Sequence, residues 1–174
     1  MLVNLPLLPT NVSGQGQFLF DQIHAFFKRI FDVIISGFLI TSTSPFHLYF
    51  RLFSTPDKGY IWGQNSNKVE IIYYTSNIIW IRELGILFSI FKGDMSFVGP
   101  RPCLPYEWNT YRNWQKTRMN VLPGLTGLWQ VSGRSEVDFN DMVILDIYYI
   151  HNLTPWFDLE IIIKTIPVLF SGFG

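Results

Sequence analysis

Apolar stretches separated by short polar breaks dominate this 174-residue chain, and the first break is the most informative. The run from Val33 to Ile40 ends in Thr41-Ser42-Thr43-Ser44-Pro45. This run is too short to cross a bilayer, because a spanning helix needs about 20 apolar residues. Proline removes an amide donor and disfavours helix at the residue before it, while neighbouring hydroxyl groups can bond the freed carbonyls. The pattern predicts two helices joined by a bend at Ser44-Pro45.

Charged residues flank this bend on both sides. Lys28 and Arg29 precede it and Arg51 follows it. Such side chains prefer a membrane interface to the hydrocarbon core. If both ends return to the same face, the segment from about residue 28 to 53 enters the membrane and comes back out. The alternatives are an ordinary buried hairpin and one tilted span over residues 30–53, and the central position of Pro45 favours the re-entrant form.

The remaining patterns predict a mostly helical α/β fold with one small β-hairpin. Aromatic and β-branched residues on either side of a polar turn predict the hairpin. The final helix has a wide apolar surface and few charges, which is typical of an amphipathic helix at a membrane interface. The predicted elements are strands near 60–62 and 69–75, helices near 77–91, 106–120, 138–150 and 156–170, and Gly/Pro-rich loops at 93–105 and 122–134.

The length fits one domain. We place it at residues 26–174, after an irregular N-terminal arm over residues 1–25. The arm lacks the basic region and small-residue cleavage site of a signal peptide. It contains two prolines and the run Ser13-Gly14-Gln15-Gly16-Gln17, which favour an irregular segment.

The composition indicates a membrane-associated protein and argues against nucleic acid as a partner. Charged residues make up 15% of the chain and hydrophobic residues 48%, whereas soluble domains carry about 25% charged residues. Thirteen basic residues balance thirteen acidic ones, so no overall field attracts nucleic acid. The single cysteine, Cys103, cannot form an internal disulfide, which fits a reducing, cytoplasm-facing location.

Two loops and one helix carry candidate chemistry. Residues 92–102, KGDMSFVGPRP, contain Arg101, and guanidinium binds phosphate with two parallel hydrogen bonds. The alternative is a rigid connector in which Arg101 pairs with a structural carboxylate. Residues 122–134, LPGLTGLWQVSGR, suit a packed turn or a ligand-lined loop. Asp146 lies on a largely apolar helix, where an aspartate is more often a cap or an ion-pair partner than a catalyst.

In this order, KRIFDVIIS, the Ser44-Pro45 break, FKGDMSFVGPRP, LPGLTGLWQVSGR and LDIYYIHNLTPWFDLEIIIKTIPVL resemble the bacterial sugar transferases, which are monotopic polyprenyl-phosphate phosphoglycosyl transferases. The resemblance covers about residues 26 to 172. It implies transfer of a phosphosugar from a nucleotide sugar, usually a UDP-sugar, to polyprenyl phosphate in polysaccharide or glycoconjugate biosynthesis. It also implies a covalent intermediate on an aspartate, with Mg²⁺ as cofactor.

The same resemblance assigns roles to individual residues. It gives membrane contact to Lys28, Arg29, Ser44 and Pro45, and metal binding to Glu83 and Asp94. It implies a monotopic protein that faces the cytoplasm, in a bacterial inner membrane by default or alternatively a plastid membrane. The residues that it assigns to substrate or phosphate binding are Gly99, Pro100, Arg101, Gly124, Gln130, Arg134 and Asp146.

This chain departs from the family at the nucleophile. The family carries an adjacent Asp-Glu pair before its Lys-Gly-Asp-Met segment, and alignment without a gap puts that pair at Arg82-Glu83. An anionic nucleophile is thus replaced by a permanently cationic side chain. The family's basic strand is also shortened here to KVEIIYYTS.

Two hypotheses follow from this departure. In the first, the chain is an enzyme of the family type, and Glu83 or Asp94 assumes part of the missing role. In the second, it is a catalytically inactive relative that serves as a membrane-bound binding or scaffold protein. A requirement for Mg²⁺ distinguishes them, because only turnover should need the metal.

Overall fold

The computed structural model describes residues 14–53, 56–74, 84–133 and 137–170, and its described part is mostly helical with two small sheets. The helices are α1 (Gly14–Ser42), α2 (Ser44–Phe53), α3 (Ile86–Lys92), α4 (Pro105–Trp108), α5 (Asn113–Lys116), α6 (Leu128–Val131), α7 (Phe139–His151) and α8 (Pro155–Phe170). The strands are β1 (Asp57–Trp62), β2 (Lys68–Tyr73), β3 (Ser96–Val98) and β4 (Gly124–Thr126).

The predicted bend at Ser44-Pro45 is confirmed. Helix α1 ends at Ser42 and α2 begins at Ser44, with Pro45 in the first turn of α2, where a missing amide donor is tolerated. Thr43 Oγ1 donates to the carbonyl oxygen of Leu39 at 2.6 Å and lies 3.0 Å from His47 Nε2. A hydroxyl group therefore bonds a carbonyl at the bend, as the sequence predicts.

The irregular arm predicted over residues 1–25 was wrong from Gly14 onward, where α1 begins. Both prolines of the arm precede this residue, so none interrupts the helix. In addition, His24 is buried against Asp158 of α8, which fixes the early part of the helix by tertiary contact. Residues 1–13 lie outside the described ranges.

The predicted hairpin and the last two predicted helices are confirmed. Strands β1 and β2 pair antiparallel, from Asp57 opposite Tyr73 to Trp62 opposite Lys68. Helices α7 and α8 match the predictions at 138–150 and 156–170. The helix predicted over 77–91 is described only from Ile86, because residues 75–83 lie outside the described ranges.

The single helix predicted near 106–120 was wrong. The segment instead forms α4, α5 and a 3₁₀ turn, Thr117–Asn120. Thr110 Oγ1 donates to the carbonyl oxygen of Glu107 at 2.7 Å, a local side-chain bond of the kind that competes with helix continuation.

The two Gly/Pro-rich loops contain a parallel strand pair that the sequence pattern did not predict. Ser96 of β3 lies opposite Gly124 of β4, and Val98 lies opposite Thr126. Two residues just after β3 also bond to β4. The Gly99 amide donates to the Thr126 carbonyl oxygen, and the Pro100 carbonyl oxygen accepts from the Gly124 amide, each at 2.9 Å. The pair therefore joins two loops that are distant in sequence.

Glycine at position 124 is required by this close approach, and Gly124→Ala should destabilise the fold by about 3 kcal/mol. An added Cβ would lie 2.1 Å from the Gly99 nitrogen, which is backbone and cannot move aside as a side chain can. Urea unfolding measures the effect. The matched control is Gly37→Ala in α1, where the new Cβ meets only the Phe91 ring at 3.4 Å. The control should be neutral or up to about 1 kcal/mol more stable; equal losses for both variants would contradict the interpretation.

The core consists of two main clusters that meet at β3. One lies between the hairpin and α3 and includes Ile61, Ile71 and Ile90. The other lies between α7 and α8 and includes Tyr149 and Ile161. Met95 just before β3 belongs to the first cluster and Val98 at its end belongs to the second. Strand β3 thus fixes the start of the loop that contains Arg101.

Helix α1 buries polar side chains and exposes apolar ones. His24, Asp32 and Ser36 lie at multiples of four residues along the helix and are at most 3% exposed. The opposite face carries large apolar side chains that are exposed: Ile23, Phe26, Phe27, Ile30, Phe31, Ile34 and Phe38. No helix within the described ranges combines the length and apolar character that crossing a membrane requires.

Candidate functional site

The strand pair brings three of the predicted phosphate-binding residues together. Gly99 and Pro100 leave the end of β3, and both bond to the β4 segment that begins at Gly124. All three residues are buried, with backbone packed against backbone. The two loops therefore form one rigid structure, and Arg101 follows directly from it.

The Arg101 side chain is partly exposed and paired with a carboxylate. Its Nη1 donates to Glu107 Oε1 at 2.9 Å. Glu107 also accepts from the Leu104 amide at 2.9 Å and from the Tyr111 hydroxyl at 3.3 Å, which holds the carboxylate in place. The pairing with a structural carboxylate, left open by the sequence, thus occurs. Within the described ranges, no residue accepts a hydrogen bond from Nε or Nη2 of Arg101.

Asp146 is an ion-pair partner buried in α7. Its Oδ2 lies 3.1 Å from Nη2 of Arg118 and accepts the backbone amide of Arg101 at 3.2 Å. Burial raises the pKa of Asp146 to about 7, and the positive charge of Arg118 opposes this rise. A direct contact between Asp146 and a substrate stays a prediction.

Arg118 is a residue that sequence reasoning missed. It is fully buried, and its Nη2 also donates to the carbonyl oxygen of Arg101. The local sequence Lys116-Thr117-Arg118-Met119 is typical of a solvated turn, so nothing in it indicated a buried cation. Only the tertiary contact with Asp146, distant in sequence, explains its burial.

Lys28 and Arg29, predicted to reach a membrane interface, both bind protein groups. Lys28 Nζ donates to Asp158 Oδ2 at 2.9 Å and to the Tyr149 hydroxyl at 3.3 Å. Arg29 donates from Nη1 and Nη2 to the carbonyl oxygens of Ile90 and Phe91, each at 2.7 Å. Arg29 therefore caps the last turn of α3, and both cations fasten α1 to the rest of the fold.

Asp158 is the centre of this attachment, and no pattern in the sequence indicated its role. Besides Lys28, its carboxylate accepts the Tyr149 hydroxyl at 2.6 Å and lies 3.2 Å from His24 Nε2. A cavity of about 270 Å³ lies between α1, β3 and α8, and its polar lining consists of His24, Lys28, Asp32 and Asp158. Its other walls are apolar and include Phe27, Phe31, Phe97, Leu159 and Ile162.

The other predicted site residues are not brought to the Arg101 loop by any described bond. Gln130 Nε2 donates to the Leu125 carbonyl oxygen at 3.4 Å, a contact within its own loop. Asp94 is partly exposed after α3, and its carboxylate has no hydrogen bond or ion pair with another described residue. Arg82, Glu83 and Arg134 lie outside the described ranges.

The predicted metal site has a limited set of donors. The described ranges contain no group of three or more His, Cys, Asp or Glu side chains that could hold a metal. Protein-bound Mg²⁺ is usually held by one or two carboxylates together with substrate phosphates. The Asp94 carboxylate has no partner among the described residues, so it fits the role of a single protein ligand to Mg²⁺.

The profile described as "Bacterial sugar transferase" matches residues 76–172. That region contains α3, the β3–β4 pair, the Arg101 loop and both C-terminal helices. The chain belongs to the bacterial sugar transferase family.

Named relatives match part of this chain. The galactosyl transferase CpsE of Streptococcus agalactiae is 44% identical over 54% of this chain and 21% of its own length. The undecaprenyl-phosphate galactose phosphotransferase of Salmonella typhimurium is 46% identical over 53% of this chain and 19% of its own length. The exopolysaccharide production protein ExoY of Rhizobium meliloti is 38% identical over 61% of this chain and 47% of its own length. The matches thus cover between about a fifth and half of these relatives.

Proposed function

We propose that the chain binds a UDP-sugar at the Arg101 loop and transfers its phosphosugar to polyprenyl phosphate at a membrane surface. The observation that carries the proposal is the fixed β3–β4 loop pair, which presents Nε and Nη2 of Arg101 without a partner among the described residues. A guanidinium group with two free N–H directions suits a diphosphate. The name of the undecaprenyl-phosphate galactose phosphotransferase supports a polyprenyl phosphate acceptor, and that of a UDP-galactose-lipid carrier transferase of Erwinia amylovora supports the UDP-sugar.

The proposed reaction has two displacement steps. A carboxylate oxygen attacks the phosphorus atom that carries the sugar, and the bond from that phosphorus to UMP breaks with its electron pair leaving on UMP. An oxygen of polyprenyl phosphate then attacks the same phosphorus, releases the carboxylate and forms a polyprenyl diphosphate sugar. We assign this role in the native chain to Glu83, the remaining member of the family's Asp-Glu pair. Asp94 would hold Mg²⁺, which when bound would neutralise phosphate charge.

The burial of polar side chains and the exposure of apolar ones on α1 support membrane attachment. Its polar face is buried in protein, so its exposed apolar face needs an apolar environment. The exposed apolar side chains of α2 and α8 extend the same kind of surface: Phe46, Leu48, Tyr49, Leu52, Phe53, Trp156, Leu159, Ile163 and Ile166. We assign the bent pair α1–α2 to a re-entrant segment and α8 to the interface, on the cytoplasmic face of a bacterial inner membrane.

The double variant Ile34→Glu/Phe38→Glu should weaken vesicle binding by about 10-fold or more. Both side chains are more than 60% exposed, so the change adds two charges to the proposed lipid contact without opening the core. Co-sedimentation with phospholipid vesicles measures it. The matched control is Asn109→Glu/Asn113→Glu, which adds the same charge at exposed positions around α4 and α5. Unchanged sedimentation of the α1 variant would contradict the membrane assignment.

Arg82 favours a second candidate function, binding without turnover. A cation at the family's nucleophile position can neutralise a bound diphosphate, but it cannot attack phosphorus. Transfer of labelled phosphosugar from a panel of UDP-sugars to polyprenyl phosphate, with and without Mg²⁺, separates the two. Product that depends on Mg²⁺ supports the transferase. Metal-independent binding of a UDP-sugar with no product supports the second candidate and overturns the first.

A further inference from the structure

The backbone on both sides of Arg101 is held by one buried ion pair. Asp146 Oδ2 accepts the Arg101 amide at 3.2 Å, and Arg118 Nη2 donates to the Arg101 carbonyl oxygen. The two charged groups are themselves joined at 3.1 Å. Asp146 of α7 and Arg118 of the Thr117–Asn120 turn thus both bond to the backbone of one loop residue, Arg101.

These bonds fix the direction in which the Arg101 side chain leaves the backbone. Pro100 and Pro102 flank the residue, and each proline ring restricts its own backbone dihedral. With both peptide groups of Arg101 also bonded, little backbone freedom remains at this position. Glu107 then holds Nη1, which leaves Nε and Nη2 with a defined direction.

The charges of the pair are poorly explained by stability alone. The Arg118 and Asp146 side chains are 0% and 1% exposed, so both charges are removed from water. Arg118 Nε and Nη1 and Asp146 Oδ1 are buried, with no hydrogen-bond partner within the described ranges. A buried pair with unsatisfied polar atoms seldom stabilises more than apolar side chains of similar volume. Holding the Arg101 backbone is a function that apolar side chains cannot perform.

We infer that Arg118 and Asp146 are positioning residues, which form a backbone clamp that aims the Arg101 guanidinium at the diphosphate of a nucleotide. Neither residue contacts the substrate in this role, because both are buried and neutralise each other. The inference rests on the proposed function, since it takes Arg101 as the group that binds the diphosphate. The clamp determines the affinity of Arg101 for the diphosphate. It does not involve the membrane helices.

A cycle of variants tests the clamp through binding, without requiring turnover. UDP is titrated calorimetrically at pH 8 into the full chain in lipid nanodiscs, and thermal unfolding is measured in parallel. The variants are Arg118→Met/Asp146→Leu, Arg101→Ala, and all three changes together. The clamp variant should stay folded and bind UDP about 10-fold or more weakly. In the triple variant, Arg101→Ala should add no further loss. The controls are Arg112→Met and Asp141→Asn, which are exposed and should bind as the native chain does.

The outcomes separate the clamp from the proposed function. A folded clamp variant with native affinity, alongside weak binding by Arg101→Ala, overturns the clamp alone. Absence of UDP binding by the native chain overturns both. If the Met/Leu pair fails to fold, Arg118→Lys replaces it. Lysine keeps the charge beside Asp146, but its shorter side chain loses the Arg101 carbonyl; intermediate affinity supports the clamp and native affinity overturns it.

Discussion

Arg82→Asp should increase phosphosugar transfer from a UDP-sugar to polyprenyl phosphate by about 10³-fold or more over the native chain. The resemblance to the family leads us to expect residue 82 at the position of the nucleophilic aspartate, with Glu83 directly after it. The substitution replaces a cation that cannot attack phosphorus with an anionic oxygen that can. It also adds a hard oxygen ligand of the type that Mg²⁺ prefers. Initial rates with labelled UDP-sugar, in the same detergent for both chains, measure the gain.

The matched control for this prediction is Arg112→Asp, which makes the same change at an exposed position on a segment remote from residue 82 in sequence. This control should leave the native rate within about twofold, as for a surface charge away from a site. Equal rates for the native chain and Arg82→Asp would show that position 82 does not supply the nucleophile. The alignment of the Arg82-Glu83 pair would then be wrong.

Asp158→Leu should reduce the free energy of unfolding by about 3–5 kcal/mol. The Asp158 carboxylate accepts from Lys28 and Tyr149 and lies against His24. Without it, the ammonium of Lys28 stays in a site where its side chain is only 16% exposed. The attachment of α1 to α8 is lost at the same time. Chemical unfolding of the detergent-solubilised chain, followed by tryptophan fluorescence, measures the loss.

Glu160→Leu, two residues along the same helix, provides the control. Glu160 pairs with Lys164 at 2.6 Å, but both side chains are about half exposed. Exposed pairs of this spacing contribute about 0.3–0.5 kcal/mol. A loss for Asp158→Leu no larger than that for Glu160→Leu would contradict the buried network.

Acid should weaken the same network. Burial opposes ionisation of Asp158, but the hydrogen bond from His24 and the charge of Lys28 outweigh it and lower the pKa of Asp158. A carboxyl group with a lowered folded-state pKa contributes stability above its unfolded pKa of about 3.9. That contribution is lost as the pH falls through the folded-state pKa. The native chain should therefore lose more stability between pH 5 and pH 2 than Asp158→Leu does, when unfolding is measured at each pH.

Elements with strong local signals could be predicted from the sequence. Pro45, with hydroxyl residues before it, determines the bend whatever it packs against. Aromatic and β-branched runs on either side of a polar turn determine the hairpin. Both are consequences of short-range backbone chemistry. The helical extension of α1 to Gly14 could not be predicted in this way, because burial of His24 against Asp158 is a tertiary contact.

The sequence predicted the individual loops and residues of the candidate site. It did not predict the strand pairing and the ion pair that join them. The Gly/Pro-rich loops and Arg101 are visible as motifs. Three-residue strands such as β3 and β4 are too short for a periodic pattern, so their pairing was not visible. Arg118 looks like a surface residue until the fold brings Asp146 to it. Buried ion pairs between distant segments leave little trace in a local sequence pattern.

Equilibrium binding of a panel of UDP-sugars to the native chain in lipid nanodiscs tests the central claim most directly. At least one UDP-sugar should bind saturably, and Arg101→Ala should weaken that binding by about 10-fold or more, while Arg112→Ala leaves it unchanged. Failure of every UDP-sugar to bind the folded native chain, or equal affinity in Arg101→Ala, would contradict the assignment of the Arg101 loop as the nucleotide-sugar site.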